Sequence, residues 1–399
     1  MAFEVKLNKN IGEILSQPYP FDVVDQNKAK AVEKFGKDFL IDFGIGDPTD
    51  PTPELVRESC KKAVDLRKSA GYPASVGHNE FRETVCNYMK QRFNVSLESS
   101  EVVATYGAKN ASFHLPLYFI NAGQDEISLI PNPGYPPYST GTLIAGGKPF
   151  YLNILQENNF EPDFSAIPAE AVKKAKILFL NSPHSPTGKV CSKEKLKEAV
   201  DFCVDNNIVL VSDECYSELY FEDAPQSVLE INGADECAIV LNSLSKRSMM
   251  TSYAVGFAAS KNPDLLKPID SITRKSAQGV ATIIQDAAVS AWKDFEHTKK
   301  MRSIYKERLE VLLPALEGIG CKPVRPDATF FVWVQVPDSF TPLSFSEKLL
   351  LEFGINCVPG NLISKEFNGV TPGEKFVRFA LVAPVEKTRE AAKRLKEWK

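Results

Sequence analysis

The sequence has few of the features that build metal sites, disulfide frameworks or membrane spans. Its eight cysteines include no C-x-x-C pair, and none of its four histidines lies four residues from another. This spacing argues against a zinc-type site and favours free thiols in a reducing cytoplasm. No apolar run approaches the roughly 18 residues that span a bilayer. The first residues also lack the basic-then-apolar pattern of a secretion signal, so we expect a cytoplasmic protein without a metal centre.

An excess of charge of one sign is absent as well. The chain carries 47 Lys and Arg against 51 Asp and Glu, a net charge of −4, and it contains no long basic block. Nothing in this balance attracts nucleic acid or an anionic membrane, and we expect neither as a partner. With 43% apolar and 25% charged residues the composition is that of a globular protein, and 399 residues are enough for two domains.

The middle of the chain alternates short apolar runs with helical patterns. Each run has four or five residues, nearly all apolar, which is typical of strands covered on both faces. A helical stretch such as 192–205 opens with Ser192 and has Glu194 in its first turn. This alternation predicts a mostly parallel sheet with helices on both sides. The predicted strands are 102–105, 126–130, 176–180, 207–211 and 238–241.

The pattern changes from about residue 295. A long amphipathic helix is predicted over 295–318, and it is followed by strands at 328–336, 355–358 and 376–381 and by helices at 343–353 and 386–398. This mixture is typical of a smaller α+β domain. We therefore predict an N-terminal arm with part of the small domain over 1–50, a large domain over 51–294 and the small domain over 295–399.

Polar or aromatic loops follow all five predicted strands. Ligands of parallel α/β proteins collect at the carboxyl ends of the strands, so these loops are the candidate site. In chain order they are Tyr106-Gly107-Ala108-Lys109, Pro133-Gly134-Tyr135, the loop 181–188 with Ser185, the segment from Asp213 to Tyr216, and the run Ser243-Leu244-Ser245-Lys246-Arg247. In the first loop, Gly107 permits a tight turn before a helix whose free amides can bind an anion.

Lys246 is the residue on which the chemistry depends. It follows the buried run 238–241 and is flanked by Ser243 and Ser245. An amine in this place can hold an aldehyde cofactor as a Schiff base, beside hydroxyls that can bind a phosphate. The alternative for Lys246 taken alone is a solvated loop lysine.

These motifs resemble the class I and II aminotransferases of fold type I, which use pyridoxal 5′-phosphate (PLP). The resemblance runs from Phe43-Gly44-Ile45-Gly46-Asp47-Pro48 to Phe376-Val377-Arg378-Phe379, with motif order and spacing in agreement. It implies an α/β fold: a three-layer αβα large domain with a mostly parallel sheet that binds PLP, and a smaller α+β domain. It also implies a homodimer whose active sites are shared between the subunits.

The resemblance implies three catalytic residues. Lys246 would carry the cofactor and shuttle a proton, and Asp213 would pair with the pyridine nitrogen so that the ring acts as an electron sink. Tyr216 would hydrogen-bond the 3′ oxygen of the cofactor. Without the family, Asp213 is an ordinary strand-end acid and Tyr216 a half-buried core tyrosine.

The resemblance also implies a set of binding residues. Cofactor contacts would come from the backbone of Gly107, Ala108 and Lys109, from the hydroxyls of Ser185, Ser243 and Ser245, from the stacked ring of Tyr135, and from Tyr72 reaching the partner subunit's phosphate. Gly46 would lie against the substrate, and Arg378 would bind its α-carboxylate through the planar guanidinium. The alternatives are a packing aromatic for Tyr135 and a surface ion-pair residue for Arg378.

The sequence departs from the family pattern at positions that would contact the cofactor. Ala254 stands where the family has a phosphate-binding arginine, and Ser252 replaces a glycine of the same turn. Ser185 replaces the asparagine that bonds the 3′ oxygen, and a serine would reach this oxygen only through water. Arg247 or Arg274 could supply the missing charge.

The leading functional prediction is an aminotransferase that moves an amino group from an L-amino acid to a 2-oxo acid by a ping-pong mechanism. The first candidate for the 2-oxo acid is 2-oxoglutarate. The run 243–248 resembles succinyl-diaminopimelate aminotransferases, while 44–48 and 107–109 resemble the aspartate and diaminopimelate branches. The alternatives are a PLP-dependent lyase, decarboxylase or oxidase on the same fold, and a non-catalytic relative with weakened cofactor binding.

Overall fold

A computed structural model describes residues 5–16, 22–276 and 278–398. Within these ranges no helix is both long and apolar enough to cross a membrane. The helices are α1 (Lys9–Ser16), α2 (Asp22–Phe35), α3 (Glu54–Leu66), α4 (Asn79–Phe93), α5 (Gly107–His114), α6 (Pro116–Phe119), α7 (Pro136–Ile144), α8 (Ala169–Lys174), α9 (Lys193–Asn206), α10 (Ala234–Cys237), α11 (Leu244–Arg247), α12 (Pro263–Ser276), α13 (Thr282–Lys293), α14 (Glu296–Glu317), α15 (Pro342–Phe353) and α16 (Val385–Leu395). The strands are β1 (Ile41–Asp42), β2 (Val102–Thr105), β3 (Ile127–Asn132), β4 (Lys148–Asn153), β5 (Ala175–Asn181), β6 (Val209–Asp213), β7 (Ala238–Ser243), β8 (Gly256–Ala259), β9 (Lys322–Val324), β10 (Phe331–Gln335), β11 (Ile355–Asn356), β12 (Val358–Pro359) and β13 (Phe376–Ala380).

The centre of the fold is a seven-stranded sheet in the order β2-β8-β7-β6-β5-β3-β4. Strands β7, β6, β5, β3 and β4 run parallel to one another, whereas β8 runs antiparallel to both β2 and β7. The predicted mostly parallel sheet is therefore confirmed. Its parallel strands all end at one edge, which is where the candidate residues lie.

Both faces of this sheet are covered, and alternate residues of each strand supply the two cores. In β5, Leu178 and Leu180 join the core under α4, α9 and α13, while Phe179 joins the core under α5, α7 and α12. Successive side chains of a strand point to opposite faces, so a strand packed on both faces must be apolar at every position. This is the physical reason that the predicted runs lack polar alternation, and it confirms the three-layer arrangement.

The sequence prediction missed two strands of the sheet. Strand β4 lies at the edge and is mostly half-exposed, so it carries Lys148, Pro149 and Asn153 and does not form an apolar run. Strand β8 has only four residues and follows a turn in which Ala254 has a positive φ. Helix α9 agrees with the prediction, because the Ser192 side chain accepts a hydrogen bond from the N–H of Lys195 and so begins the helix.

The C-terminal part is built on an antiparallel sheet in the order β12-β13-β10-β9. Its core also takes in the N-terminal segment, because β1 pairs in parallel with β11 and Phe43 is fully buried there. The N–H of Ala380, at the end of β13, donates to the carbonyl oxygen of Phe43 at 2.7 Å. This pairing places the glycine-rich segment 44–46 beside β13, the strand that carries Arg378.

Candidate active site

The carboxyl ends of the parallel strands bring the predicted residues to one edge of the sheet. Asn181 at the end of β5 is in register with Asp213 at the end of β6, and Asp213 is in register with Leu241 of β7. Cys215 and Tyr216 come two and three residues past the end of β6, and α11 with Lys246 directly follows β7. Sheet topology alone therefore places an acid, a phenol and an amine in neighbouring positions.

The Lys246 amine points into the site and is largely shielded from water. Its Nζ donates a hydrogen bond to the carbonyl oxygen of Gly46 at 2.6 Å and lies 5.5 Å from the ring centre of Phe330. Burial lowers the pKa of the Lys246 amine below its ordinary value, and the carboxylate of Asp47 opposes this change. A lowered pKa makes the neutral, nucleophilic amine more available than in a solvated lysine.

Asp213 is held rigidly by two donors. It is 5% exposed, and its carboxylate accepts hydrogen bonds from the hydroxyl of Tyr138 at 2.6 Å and from the N–H of Cys215 at 3.2 Å. Tyr138 is itself fixed by stacking on Phe179, with the ring centres 4.5 Å apart. Burial, followed by the charge of Asp213, raises the pKa of Tyr138, so the phenol stays a donor. The arrangement holds the carboxylate in one orientation.

Tyr216 and Arg378 share an aromatic floor. The ring of Tyr216 meets Phe330 and Phe331 edge-on, with centres 5.7 and 5.9 Å apart, and the Arg378 guanidinium lies 4.6 Å from the ring centre of Phe331. Arg378 also donates to the carbonyl oxygen of Gly44 at 2.7 Å. Burial lowers the pKa of Arg378 to about 10, and Tyr216 opposes this change. A partly desolvated guanidinium with a free edge is suited to a carboxylate ligand.

Serine hydroxyls and the first backbone amides of α5 lie between α5 and α11, in a group of donors that we call the cradle. The hydroxyls of Ser243 and Ser245 are 3.0 Å apart, and Gly107 at the start of α5 has φ +74°. A Cβ on Gly107 would lie 3.5 Å from the hydroxyl oxygen of Ser243, so the glycine keeps the cradle open. The first backbone amides of α5, including those of Ala108 and Lys109, have no acceptor within the helix. Hydroxyls and free amides are the donors that a phosphate requires.

The donor set as a whole fits PLP. A lysine amine of lowered pKa suits the aldehyde, a fixed carboxylate suits the ring nitrogen, and the cradle suits the phosphate. Within the described ranges, no group of three or more His, Cys, Asp or Glu side chains is placed to hold a metal ion.

Neither arginine proposed as a substitute lies in the cradle. Arg247 is fully buried and donates to the carbonyl oxygens of Ala291 at 2.6 Å and Asp294 at 3.0 Å, between aromatic rings. Arg274 is bonded to Asp270 at 2.9 Å. Both guanidinium groups already have partners elsewhere, so the idea that one of them replaces the family arginine is wrong.

Replacing Ala254 with arginine is expected to strengthen cofactor binding. Ala254 already has φ 49° and ψ 57°, so a longer side chain adds no new backbone penalty. A hydrogen bond to a charged group contributes about 1.5–3 kcal/mol, which corresponds to roughly ten- to a hundredfold in the Kd of PLP. Titration of the apo protein with PLP, followed by visible absorbance, measures this change. The matched control is Ser252→Arg in the same turn, and an unchanged Kd in Ala254→Arg would contradict the assignment.

The remaining predicted residues lie around this centre. Ser185 donates its N–H to the side-chain oxygen of Asn181 at 2.9 Å, while the Asn181 amide donates to the backbone oxygen of Asp213 at 3.0 Å. A Cβ on Gly46 would lie 3.2 Å from the ring of Phe331, so the glycine allows this close approach. Tyr135 is 37% exposed beside Tyr138, and Tyr72 is 87% exposed in the loop between α3 and α4.

Sequence reasoning missed three contributors to the site. Tyr138 is one helical turn after Tyr135 on α7, and Asn181 ends a strand next to Asp213; their places are visible only once the strands are paired. The aromatic floor of Phe330 and Phe331 comes from β10 and the residue before it, which the sequence indicates only as an apolar run. A polar residue at a strand end is the one signal that could have identified Asn181.

Comparisons with known proteins identify the family. Residues 39–395 match the model of aminotransferase class I and II. The chain is 38% identical to LL-diaminopimelate aminotransferase of Aquifex aeolicus over 96% of this chain and 97% of that protein. Among solved structures, an aminotransferase from Neisseria meningitidis superposes with a TM-score of 0.90 at 28% identity, covering 98% of this chain and 100% of that one. Aspartate aminotransferase from Thermotoga maritima superposes with a TM-score of 0.86 at 27% identity, covering 98% and 99%. The chain therefore belongs to the class I and II aminotransferases, and it is a PLP-dependent enzyme that acts on an amino acid and a 2-oxo acid.

Proposed function

We propose that this aminotransferase takes the amino group from LL-diaminopimelate and passes it to 2-oxoglutarate in a ping-pong cycle. Aspartate and a succinylated diaminopimelate are the other donors that the motifs suggest. The preference for LL-diaminopimelate rests on the relatives that carry this name at 35–38% identity over nearly the whole chain. In the structure, the carrying observation is the Lys246 amine, held at 2.6 Å from Gly46 in the same site as Arg378.

We assign the chemistry to this chain's own side chains. When bound, PLP supplies an electron-withdrawing ring that stabilises the negative charge left on the substrate when its α-proton departs. Lys246 Nζ takes that proton and returns it, and its lowered pKa suits a base. The Asp213 carboxylate, oriented by Tyr138, would hold positive charge at the ring nitrogen. Tyr216 would donate a hydrogen bond from its hydroxyl to the 3′ oxygen, because its raised pKa keeps it protonated.

The remaining assignments concern binding. Arg378 would hold the α-carboxylate of either substrate, with Gly46 beside it. The phosphate would lie on the cradle formed by Gly107, Ala108, Lys109, Ser243 and Ser245. Tyr135 would stack on the ring, and Ser185 would reach the 3′ oxygen through water.

We further propose that the enzyme is a cytoplasmic homodimer. Tyr72 is 87% exposed in one chain, and Val64 and Leu66 nearby are 54% and 73% exposed. Apolar side chains exposed together indicate an interface, and Tyr72 would then reach the phosphate in the partner subunit's site. The eight cysteines are free, which agrees with a reducing compartment. We keep the division into 1–50, 51–294 and 295–399, supported by the separate core of the C-terminal part.

A donor assay tests the proposed substrate. The purified enzyme is given LL-diaminopimelate, L-aspartate or N-succinyl-LL-diaminopimelate with 2-oxoglutarate, and the glutamate formed is measured by amino-acid analysis. We expect LL-diaminopimelate to give the highest kcat/KM, at least about tenfold above aspartate, since a tenfold preference corresponds to only about 1.4 kcal/mol. The Lys246→Ala enzyme is the inactive control. A higher kcat/KM for aspartate would overturn the donor assignment.

A further inference from the structure

A serine, a histidine and an aspartate form a hydrogen-bonded array directly behind Lys246. The hydroxyl oxygen of Ser248 lies 2.8 Å from Nε2 of His297, and Nδ1 of His297 lies 3.0 Å from a carboxylate oxygen of Asp294. A carboxylate can only accept, so Nδ1 carries the proton and donates to Asp294. Nε2 then accepts from the Ser248 hydroxyl, which fixes the neutral tautomer.

This array cannot act directly on a substrate. Ser248 has no exposed surface, and the side chain of His297 is only 9% exposed. Its order of residues resembles that of a nucleophilic triad, but no reactant can reach the serine. What the array does touch is the loop of the lysine: Ser248 ends α11, two residues after Lys246, and its N–H donates to the carbonyl oxygen of Leu244 at 2.9 Å.

A second anchor runs alongside the array. The guanidinium of Arg247 donates to the backbone oxygens of Ala291 and Asp294, and it is enclosed by the rings of Tyr88, Trp292 and Phe295 at 5.1–5.3 Å. The residues directly after Lys246 are therefore both tied to the junction of α13 and α14.

The junction of α13 and α14 is also connected, through α14, to the segment that follows Gly46. Asp294 also accepts from the N–H of Glu296, the first residue of α14, at 2.8 Å. Further along α14, Arg308 makes two hydrogen bonds of 2.8 Å to the carboxylate of Asp50 and one of 3.1 Å to the carbonyl oxygen of Leu381. Asp50 lies four residues after the glycine that accepts the hydrogen bond of the lysine amine. Helix α14 thus connects the array to the segment that carries Gly46.

We propose that Ser248, His297 and Asp294 are positioning residues that hold the Lys246 amine against Gly46 and keep water away from it. This inference rests on the proposed role of Lys246 as the cofactor-bearing base. It predicts that the chemical step depends on groups that never meet substrate or cofactor.

The charges around His297 determine its response to pH. It faces Arg247 from α11, Asp294 from the α13–α14 junction and, more weakly, Glu218, which is itself paired with Arg302. Burial, followed by the charge of Arg247, lowers the pKa of His297 below its ordinary value of 6.5. A depressed pKa means that the array is intact at neutral pH and is lost as the pH falls below 6.5 through the lowered value. Protonation would leave the Ser248 hydroxyl without its acceptor and set a second cation beside Arg247.

Loosening the array is predicted to favour protonation of the Lys246 nitrogen. Burial is the main cause of the lowered pKa of the free Lys246 amine. Burial disfavours any protonated nitrogen at this place, so admitting water would also favour protonation of the nitrogen when it carries the cofactor. The pH midpoint of the visible absorbance of the lysine-bound cofactor should then rise. A change that only weakens folding would lower the Tm and leave this midpoint in place.

The test uses the holoenzymes of Ser248→Ala, His297→Leu and His297→Gln, with Thr298→Ala as the matched control. Thr298 is fully buried on the same helical turn, and its hydroxyl donates only to Phe295 at 2.7 Å. We expect the first two variants to keep the visible band, to raise its pH midpoint by about one unit, and to lower kcat about tenfold with little change in KM. His297→Gln, which can accept from Ser248 and donate to Asp294, should restore most of both values.

Two outcomes would overturn the proposal: unchanged midpoints in Ser248→Ala and His297→Leu, or an equal shift in Thr298→Ala. Failure of the proposed role of Lys246 would look different, because the Lys246→Ala enzyme would then retain the lysine-type absorbance.

Discussion

Replacing Lys246 with alanine is expected to abolish transamination, lowering kcat by roughly four orders of magnitude or more. In the proposed function the amine is both the point of covalent attachment and the general base, and each role alone contributes a large part of the rate. Because the side chain makes its hydrogen bond to the backbone oxygen of Gly46, its removal leaves no buried charge without a partner. The fold should therefore survive with a similar Tm.

The measurement combines visible absorbance with glutamate formation. We expect the Lys246→Ala protein to lose the visible band of the lysine-bound cofactor after dialysis. Lys246→Arg is the control, because it keeps the positive charge but lacks an amine that can form a Schiff base. Appreciable turnover in Lys246→Arg would show that charge at this position, rather than the amine, is what the reaction needs.

Replacing Asp213 with asparagine is expected to have the second largest effect, lowering kcat by about a thousandfold. An amide oxygen can still accept from Tyr138 or Cys215, so the packing changes little. What disappears is the negative charge that, in the proposed function, would hold a proton on the ring nitrogen, and a charge placed in a water-poor site is worth several kcal/mol to a transition state. KM for the amino donor should change much less than kcat, because the carboxylate does not contact the donor.

The next residue in the chain provides a matched control. Glu214 is also fully buried, but its carboxylate accepts from Ser212, Ser227 and the N–H of Val228, on the side away from the cofactor pocket. Burial raises the pKa of Glu214 to about 7, so a neutral amide is a mild change there. We expect Glu214→Gln to keep kcat within about twofold. Equal losses in the two variants would indicate disturbance of β6 rather than loss of the charge at Asp213.

Much of the fold could be predicted because the central strands are almost entirely apolar. Strands β5, β6 and β7 must be apolar on both faces, and each one is directly followed by polar residues that could be recognised as a candidate site. Strand β4 could not be recognised, since an edge strand half-exposed to water has no reason to be apolar. The pairing of β1 with β11 was also beyond prediction, because two residues carry no periodicity and the partner lies more than 300 positions away.

The types of residue in the site could be predicted, but the residues that orient them could not. Lys246, Asp213, Tyr216 and Arg378 stand in motifs that can be read along the chain. Whether Arg247 could serve the phosphate depended on which way a guanidinium points, and only packing against Trp292 and its neighbours answers that. The roles of Tyr138 and His297 could not be predicted either, because each depends on a hydrogen bond to a residue distant in sequence.

By itself, the sequence determined the class of fold, the family and the cofactor, and it predicted the reacting side chains, because each of these follows from local order: a strand, a loop, and a polar residue at the strand end. Only the tertiary structure decided how the Lys246 amine is shielded from water, how Asp213 is oriented and which groups the guanidinium of Arg247 contacts. These depend on burial and on hydrogen bonds between residues tens to hundreds of positions apart, and no spacing along the chain encodes a distance in space.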